Sequence, residues 1–215
     1  MLPLLLFLAA DLPVSGISHV GFRVADLEKT RAFYSSALGI EQAFDQKDAS
    51  GKTTLAVLQI DKDQFLEFSP GAPAGFTHIA FLTDKLENVR ALVEKFDPPE
   101  LRTGRDRTRN FSIKDPDGHR IEFVRYEADS LQAAAHAKFA GNSHGAIHLK
   151  KVGIAVADRE RANKFFHDAL GVDRYIELLT PGAAIRLYFE IPDTTKASAI
   201  SDPDGTPIEL VRQSQ

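Results

Sequence analysis

Two histidines and two glutamates in this chain have the types and the settings to hold a metal ion. His19 lies in the run Ile17-Ser-His-Val-Gly-Phe-Arg-Val-Ala-Asp26, and His78 in Thr77-His-Ile-Ala-Phe-Leu-Thr-Asp84. Glu67 sits in Phe65-Leu-Glu-Phe-Ser69 and Glu122 in Arg120-Ile-Glu-Phe-Val124. Each glutamate is embedded in apolar residues, where an unpaired carboxylate is costly. Two buried carboxylates repel each other, and one then takes up a proton unless a cation intervenes. One divalent ion resolves that conflict. Two imidazoles and two carboxylates suit Zn, Ni, Co, Mn or Fe(II), with room left for two waters or a substrate offering two oxygens. A single strand histidine is ordinarily structural, and a single strand glutamate ordinarily faces solvent. Four of them in matching places of repeated units form a different pattern.

The repeat identifies the elements that must position them. At a constant offset of 132 (152 − 20), Val20, Gly21, Val24, Ala25 and Asp26 recur as Val152, Gly153, Val156, Ala157 and Asp158. The identity continues at Phe33/Phe165, Ala37/Ala169, Leu38/Leu170 and Gly39/Gly171. Both copies read as a strand followed by a helix. Val20, Phe22 and Val24 alternate with His19, Gly21 and Arg23, so the histidine faces away from the helix-packing side. Asp26 and Asp158 are suited to cap the helices, and Gly39 and Gly171 to end them. A weaker copy begins at Phe76, placing His78 opposite Ile79 and Phe81. Short β-rich runs follow each helix: 54–60 and 64–69, 110–114 and 120–126, 184–191 and 208–212. Asp115-Pro-Asp-Gly118 and Asp202-Pro-Asp-Gly205 are tight turns at an offset of 87.

The expected architecture is α+β: βαβββ modules at 17–70 and 76–126, paired into a curved eight-stranded sheet around the metal site. A helix-prone linker at 127–147 leads to a third, degenerate module at 148–215. In that third copy Lys151 replaces His19, Ala155 replaces Arg23, and only Glu209 matches Glu122. Its framework persists without the chemistry. An open edge strand there would be protected by pairing with a second copy of the chain, so a homodimer through the third module is expected.

The composition excludes several classes. A net charge of −4 and a pI near 6.0 provide no field for nucleic acid or an anionic membrane. The arginines between Arg102 and Arg109 read either as a solvated loop or as an anion site at the cavity mouth. The chain has no cysteine, which removes disulfides, zinc–thiolate centres and thiol nucleophiles. Residues 1–10, MLPLLLFLAA, are too few to span a bilayer. Residues 1–16 read as an export signal or a core-docking N-terminal segment, with a periplasmic or secreted location slightly favoured over the cytoplasm.

With these motifs in place, the chain resembles the vicinal oxygen chelate superfamily of glyoxalase I, fosfomycin- and bleomycin-resistance proteins, methylmalonyl-CoA epimerase and extradiol dioxygenases. SHVGFRVAD around His19, HIAF around His78 and DPDGHRIEF around Glu122 carry the resemblance. Glu67 makes the likeness greatest to glyoxalase I, whose metal takes two glutamates. Arg23 matches an arginine that in glyoxalase I helps hold a substrate carboxylate. Gly71, however, stands where such proteins carry asparagine. The extradiol pattern expects a tyrosine where Ser112 follows Phe111, and a histidine upstream of it that this chain lacks. The resemblance therefore implies a lyase or isomerase with one divalent metal on His19, Glu67, His78 and Glu122. It would act on a small substrate with vicinal oxygens through an enediolate. Glu122 or Glu67 would carry the proton and Arg23 would bind the substrate. Two alternatives carry the same fold: a non-catalytic binding or resistance protein, and a ring-cleaving dioxygenase.

Overall fold

A computed structural model describes residues 12–143, 147–192 and 198–212. Of residues 1–16, read as an export signal or a core-docking segment, 1–11 lie outside them. Two sheets share one apolar core.

The first unit runs β1 (Gly16–Val24), α1 (Leu27–Leu38), β2 (Glu41–Lys47), β3 (Thr53–Gln59) and β4 (Phe65–Pro70). The second runs β5 (Gly75–Leu82), α2 (Leu86–Leu92), β6 (Arg102–Thr103), β7 (Arg109–Lys114) and β8 (Arg120–Arg125). The Asp26 side chain accepts from the Lys29 amide, and Gly39 closes α1 at φ 65°, a left-handed geometry that favours glycine. The eight strands lie in the order β2-β3-β4-β1-β5-β8-β7-β6. Within each unit the first strand is parallel to the last, and β1 joins β5 antiparallel, so the units pair along their first strands. On β1, Val20, Phe22 and Val24 are buried in the main core with Tyr34 and Leu38 of α1. The opposite face carries His19 and Gly21.

Residues 127–147 were expected to be a linker, and they contribute more than that. Helix α3 (Leu131–Lys138), capped by Ser130, packs Ala135 against Val57 and Phe65 on the site side of the sheet. The Asp106 carbonyl accepts from the Leu131 amide, and the Gln132 amide group donates to the Asp106 carboxylate at 2.6 Å.

The C-terminal unit runs β9 (His148–Ala155), α4 (Arg159–Asn163) with a π-helical continuation to Ala169, β10 (Ile176–Leu179), β11 (Arg186–Ile191), β12 (Ala199–Ser201) and β13 (Pro207–Arg212). Its order is β10-β9-β11-β13-β12. Its pairings repeat those of β4-β1-β5-β8-β7: β9 is parallel to β10 and antiparallel to β11, and β11 is parallel to β13. The degenerate unit is thus a shortened counterpart of the whole eight-stranded sheet. The two halves clasp each other reciprocally. The Ala25 amide donates to Asp204, and the Ala157 amide donates to Asp117. These are the same positions under the offsets of 132 and 87. The side chain of Gln64 both donates to the Leu149 carbonyl and accepts from its amide, at 3.0 and 2.7 Å. Leu12 and Val14 join the shared core, and the Leu12 amide donates to Leu170.

Candidate metal centre

Strand pairing brings the sequence-identified residues to one point. Gly21 of β1 stands opposite Glu67 of β4 on one side and His78 of β5 on the other. Ala80 of β5 stands beside Glu122 of β8. The Nε2 atoms of His19 and His78 face each other at 2.9 Å. That is the separation of two ligands at right angles around an ion held at 2.0–2.1 Å, about 2.9 Å. Glu67 lies 3.8 Å from each imidazole, and Glu122 lies 3.8 Å from His19. Two ligands of one such ion can be about 4.2 Å apart at most, so all these spacings fit a common ion. His19, Glu67 and His78 form the most compact group, each with a ligand atom within 4.8 Å of the others. The other oxygen of Glu122 accepts from the Arg120 guanidinium.

Both rings are held from behind. His19 Nδ1 lies 3.0 Å from Ser18 Oγ, which is 2.7 Å from the Tyr126 hydroxyl. Tyr126 donates to the Asp63 carbonyl at 2.8 Å. Its single proton being used there, Tyr126 accepts from Ser18, and Ser18 in turn accepts from His19 Nδ1–H. The chain of hydroxyls thereby leaves the lone pair of His19 on Nε2, pointing into the site. Burial holds the Tyr126 phenol well above its ordinary range, so the proton stays in place. Thr77 Oγ1 meets His78 Nδ1 at 2.9 Å. Gly21 provides the space, since a methyl group there would fall on the His78 ring and the Thr77 hydroxyl.

Burial sets the electrostatics of the four residues. Burial pushes the Glu67 carboxyl up to about 8, with the Asp106 charge adding to it and Arg120 opposing it. Burial also raises Glu122, against the pull of His19 and Arg120. Burial lowers His19 and, more strongly, His78, which keeps both imidazoles in the neutral, ligating form.

Arg23 is exposed at the rim of the same strand face, two residues beyond Gly21 and with no hydrogen bond or ion pair among the described residues. Its stem crosses Gly71, where an added Cβ would lie 3.0 Å from Arg23 Cδ. Of the 102–109 loop, it is the acidic member, not an arginine, whose charge reaches the centre. Asp106, fixed by Thr108 and Gln132, is the charge that Glu67 senses. Sequence reading overlooked Ser18, Thr77, Tyr126, Arg120 and Asp106. A signal for two of them was present, since a hydroxyl residue immediately precedes each histidine.

The model of the Glyoxalase/Bleomycin resistance protein/Dioxygenase superfamily matches residues 16–123. The chain is 27% identical over 192 residues to 3-methylcatechol 2,3-dioxygenase of Pseudomonas putida strain F1, covering 82% of this chain and 64% of that protein. The chain thus spans just under two thirds of that relative. Among solved structures, 2,2',3-trihydroxybiphenyl 1,2-dioxygenase of Sphingomonas wittichii RW1 superimposes with a TM-score of 0.68 at 18% identity, covering 94% of this chain and 91% of that one. A catechol 2,3-dioxygenase gives 0.71 at 13% identity, over 96% and 90%. Homoprotocatechuate 2,3-dioxygenase of Brevibacterium fuscum, in complex with 3,4-dihydroxyphenylacetate, gives 0.70 at 16%, over 97% and 83%. At these identities the structural likeness establishes the fold.

Proposed function

We propose, from the premise that the chain belongs to the Glyoxalase/Bleomycin resistance protein/Dioxygenase superfamily, that it is a single-metal enzyme cleaving the ring of a small aromatic substrate with two adjacent hydroxyls. The observation that carries this reading is the pair of Nε2 atoms at 2.9 Å, backed by hydroxyls and flanked by carboxylates. Two histidines and a carboxylate on one face are the ligand set of non-haem Fe(II) oxygenases. The relatives named above are ring-cleaving dioxygenases, which favours this chemistry over the lyase or isomerase expected from Glu67 alone. When bound, the ion would supply Lewis acidity toward the vicinal oxygens and a route for electrons to dioxygen.

The remaining work falls to the chain. His19, Glu67 and His78, the most compact group, would hold the ion. With three side chains holding the ion, the second carboxylate would be left to move protons. Glu122 suits that part. One of its oxygens is already tied by Arg120, and the other faces His19 and can take the substrate's hydroxyl proton. Arg23 at the rim would pair with an anionic substituent of the substrate. Val57 and Phe65, covered by Ala135 of α3, would wall off water from the substrate ring.

A second reading rests on one specific observation. Both carboxylates approach His19 to 3.8 Å, and Ser112, not a tyrosine, pairs with Glu122 on β7. Those features suit proton shuttling between neighbouring carbons in a glyoxalase-like isomerase. The test is anaerobic reconstitution with Fe(II), then addition of oxygenated catechol or 3-methylcatechol with an oxygen electrode and spectroscopy of the ring-opened product. One oxygen consumed per catechol is expected. No oxygen uptake, together with turnover of hemithioacetals by the Ni, Co or Zn form, would replace the first reading with the second.

A further inference from the structure

The five-stranded sheet carries the same four positions, two of them with different side chains. Lys151 occupies the place of His19 by the offset of 132. Gly153 of β9 stands opposite Glu177 of β10, as Gly21 stands opposite Glu67. Gly153 also stands opposite Arg186 of β11, as Gly21 stands opposite His78. Tyr188 stands beside Glu209, as Ala80 stands beside Glu122. A Cβ on Gly153 would meet Leu179 at 2.9 Å and Arg186 at 3.1 Å, so glycine is the close-fitting residue here too. Both glutamates persist, and both imidazoles have become cations. Neither a protonated lysine nor an arginine has a lone pair to offer a metal.

These substitutions balance the carboxylates internally. Arg186 lies 3.6 Å from Glu209, and the Tyr188 hydroxyl donates to Glu177. Against this face and around the β10 edge opens a cavity of about 530 Å³, whose walls include Lys151, Arg159, Asn163, Glu177 and Tyr188 together with apolar Phe166 and Leu178. Its acids are engaged: Glu177 by Tyr188, and Asp173 by His167 at 3.2 Å. Its cations have no acid. Arg159 donates to the Leu178 carbonyl at 2.7 Å, and neither it nor Lys151 makes an ion pair among the described residues.

We propose that this cavity is a metal-independent binding site for a small organic carboxylate. The carboxylate lies between Lys151 and Arg159 with the Asn163 amide beside it, and the apolar body lies on Phe166 and Leu178. The site is separate from the metal centre and does not depend on what that centre catalyses.

The test is calorimetric titration of the full chain with benzoate and with benzamide, its uncharged isostere, before and after metal is stripped on a chelating resin. Benzoate is expected to bind at one site, unaffected by metal removal, and about tenfold or more tighter than benzamide. Lys151→Met and Arg159→Met should each weaken it about tenfold or more, whereas Lys151→Arg, which keeps the charge, should retain binding. Near-UV circular dichroism confirms that each variant is folded. The proposal is overturned if benzoate gives no binding, if benzamide binds equally well, or if affinity follows metal content and ignores Lys151.

Discussion

Replacing Glu67 with glutamine should stabilise the metal-free protein at alkaline pH while destroying its affinity for metal. Burial lifts the Glu67 carboxyl from 4.5 to about 8. Between those values the folded chain holds a proton that the unfolded chain has released, so stability falls as pH rises through this window. At about 1.36 kcal/mol per pH unit, the loss relative to pH 4 reaches roughly 3 kcal/mol at pH 7 and about 5 kcal/mol above pH 8. Glutamine has nearly the same shape and cannot ionise, so the variant escapes that loss. About 4 kcal/mol of that loss falls between pH 5 and 8.5, so at roughly 2–4 °C per kcal/mol for a chain of this size the variant's melting temperature should exceed the parent's by about 8–15 °C more at pH 8.5 than at pH 5. The assay is thermal and urea unfolding of both proteins, stripped of metal, across pH 5–8.5. Comparing the two at each pH cancels the titrating groups that do not sense Glu67; Glu122, whose carboxyl the Glu67 charge helps to raise, adds a contribution of the same sign. Adding metal should raise the parent's stability and leave the variant's nearly unchanged, since only ligand that binds the folded state stabilises it. A difference between the two proteins that stays constant from pH 5 to 8.5 would refute the argument that Glu67 is a desolvated carboxyl with a raised pKa.

Three further outcomes follow from the same geometry. Gly21→Ala should leave far-UV circular dichroism native-like yet lower metal affinity about 100-fold or more, by displacing the His78 ring, as measured by competition with a chromophoric chelator. Tyr126→Phe and Ser18→Ala should each weaken metal binding about 10–100-fold by freeing the His19 tautomer. The nitrogen-15 shifts of His19 in the metal-free variants should show the proton distributed over both ring nitrogens rather than held on Nδ1. Elemental analysis of the purified chain should find one divalent ion per chain. Lys151→His with Arg186→His, which restores imidazoles at the positions equivalent to His19 and His78 beside the strands carrying Glu177 and Glu209, should raise that ratio toward two.

The four residues that meet at the candidate centre were legible as a cluster because each rests on a local regularity. Alternation along β1 and β5 turns His19 and His78 away from the helix-packing face, and apolar neighbours on β4 and β8 mark Glu67 and Glu122 as buried. The constant offset of 132 exposed the duplicated framework, since identical spacings from Val20 to Gly39 reflect the same strand–helix geometry twice. Strand β2 was less legible. Glu41–Lys47 lies beside only β3 and alternates too weakly to announce a strand.

What tertiary structure alone decided lies in contacts between residues far apart in the chain. Helix α3 looked like a linker because its eight residues have little apolar face, and only docking on Val57, Phe65 and Asp106 gives it a place over the site. Strand β10, the pairing of Lys151 with Tyr188 and the equivalence of Arg186 with His78 depend on register between strands separated by loops of unequal length, which no local pattern encodes. The direction of the His19–Ser18–Tyr126–Asp63 chain likewise exists only once residues 18, 63 and 126 meet. Residue types and periodicity determined which side chains could bind a metal. Register and long-range hydrogen bonding determined that two imidazoles point at each other in one sheet, and that a lysine and an arginine take their places in the other.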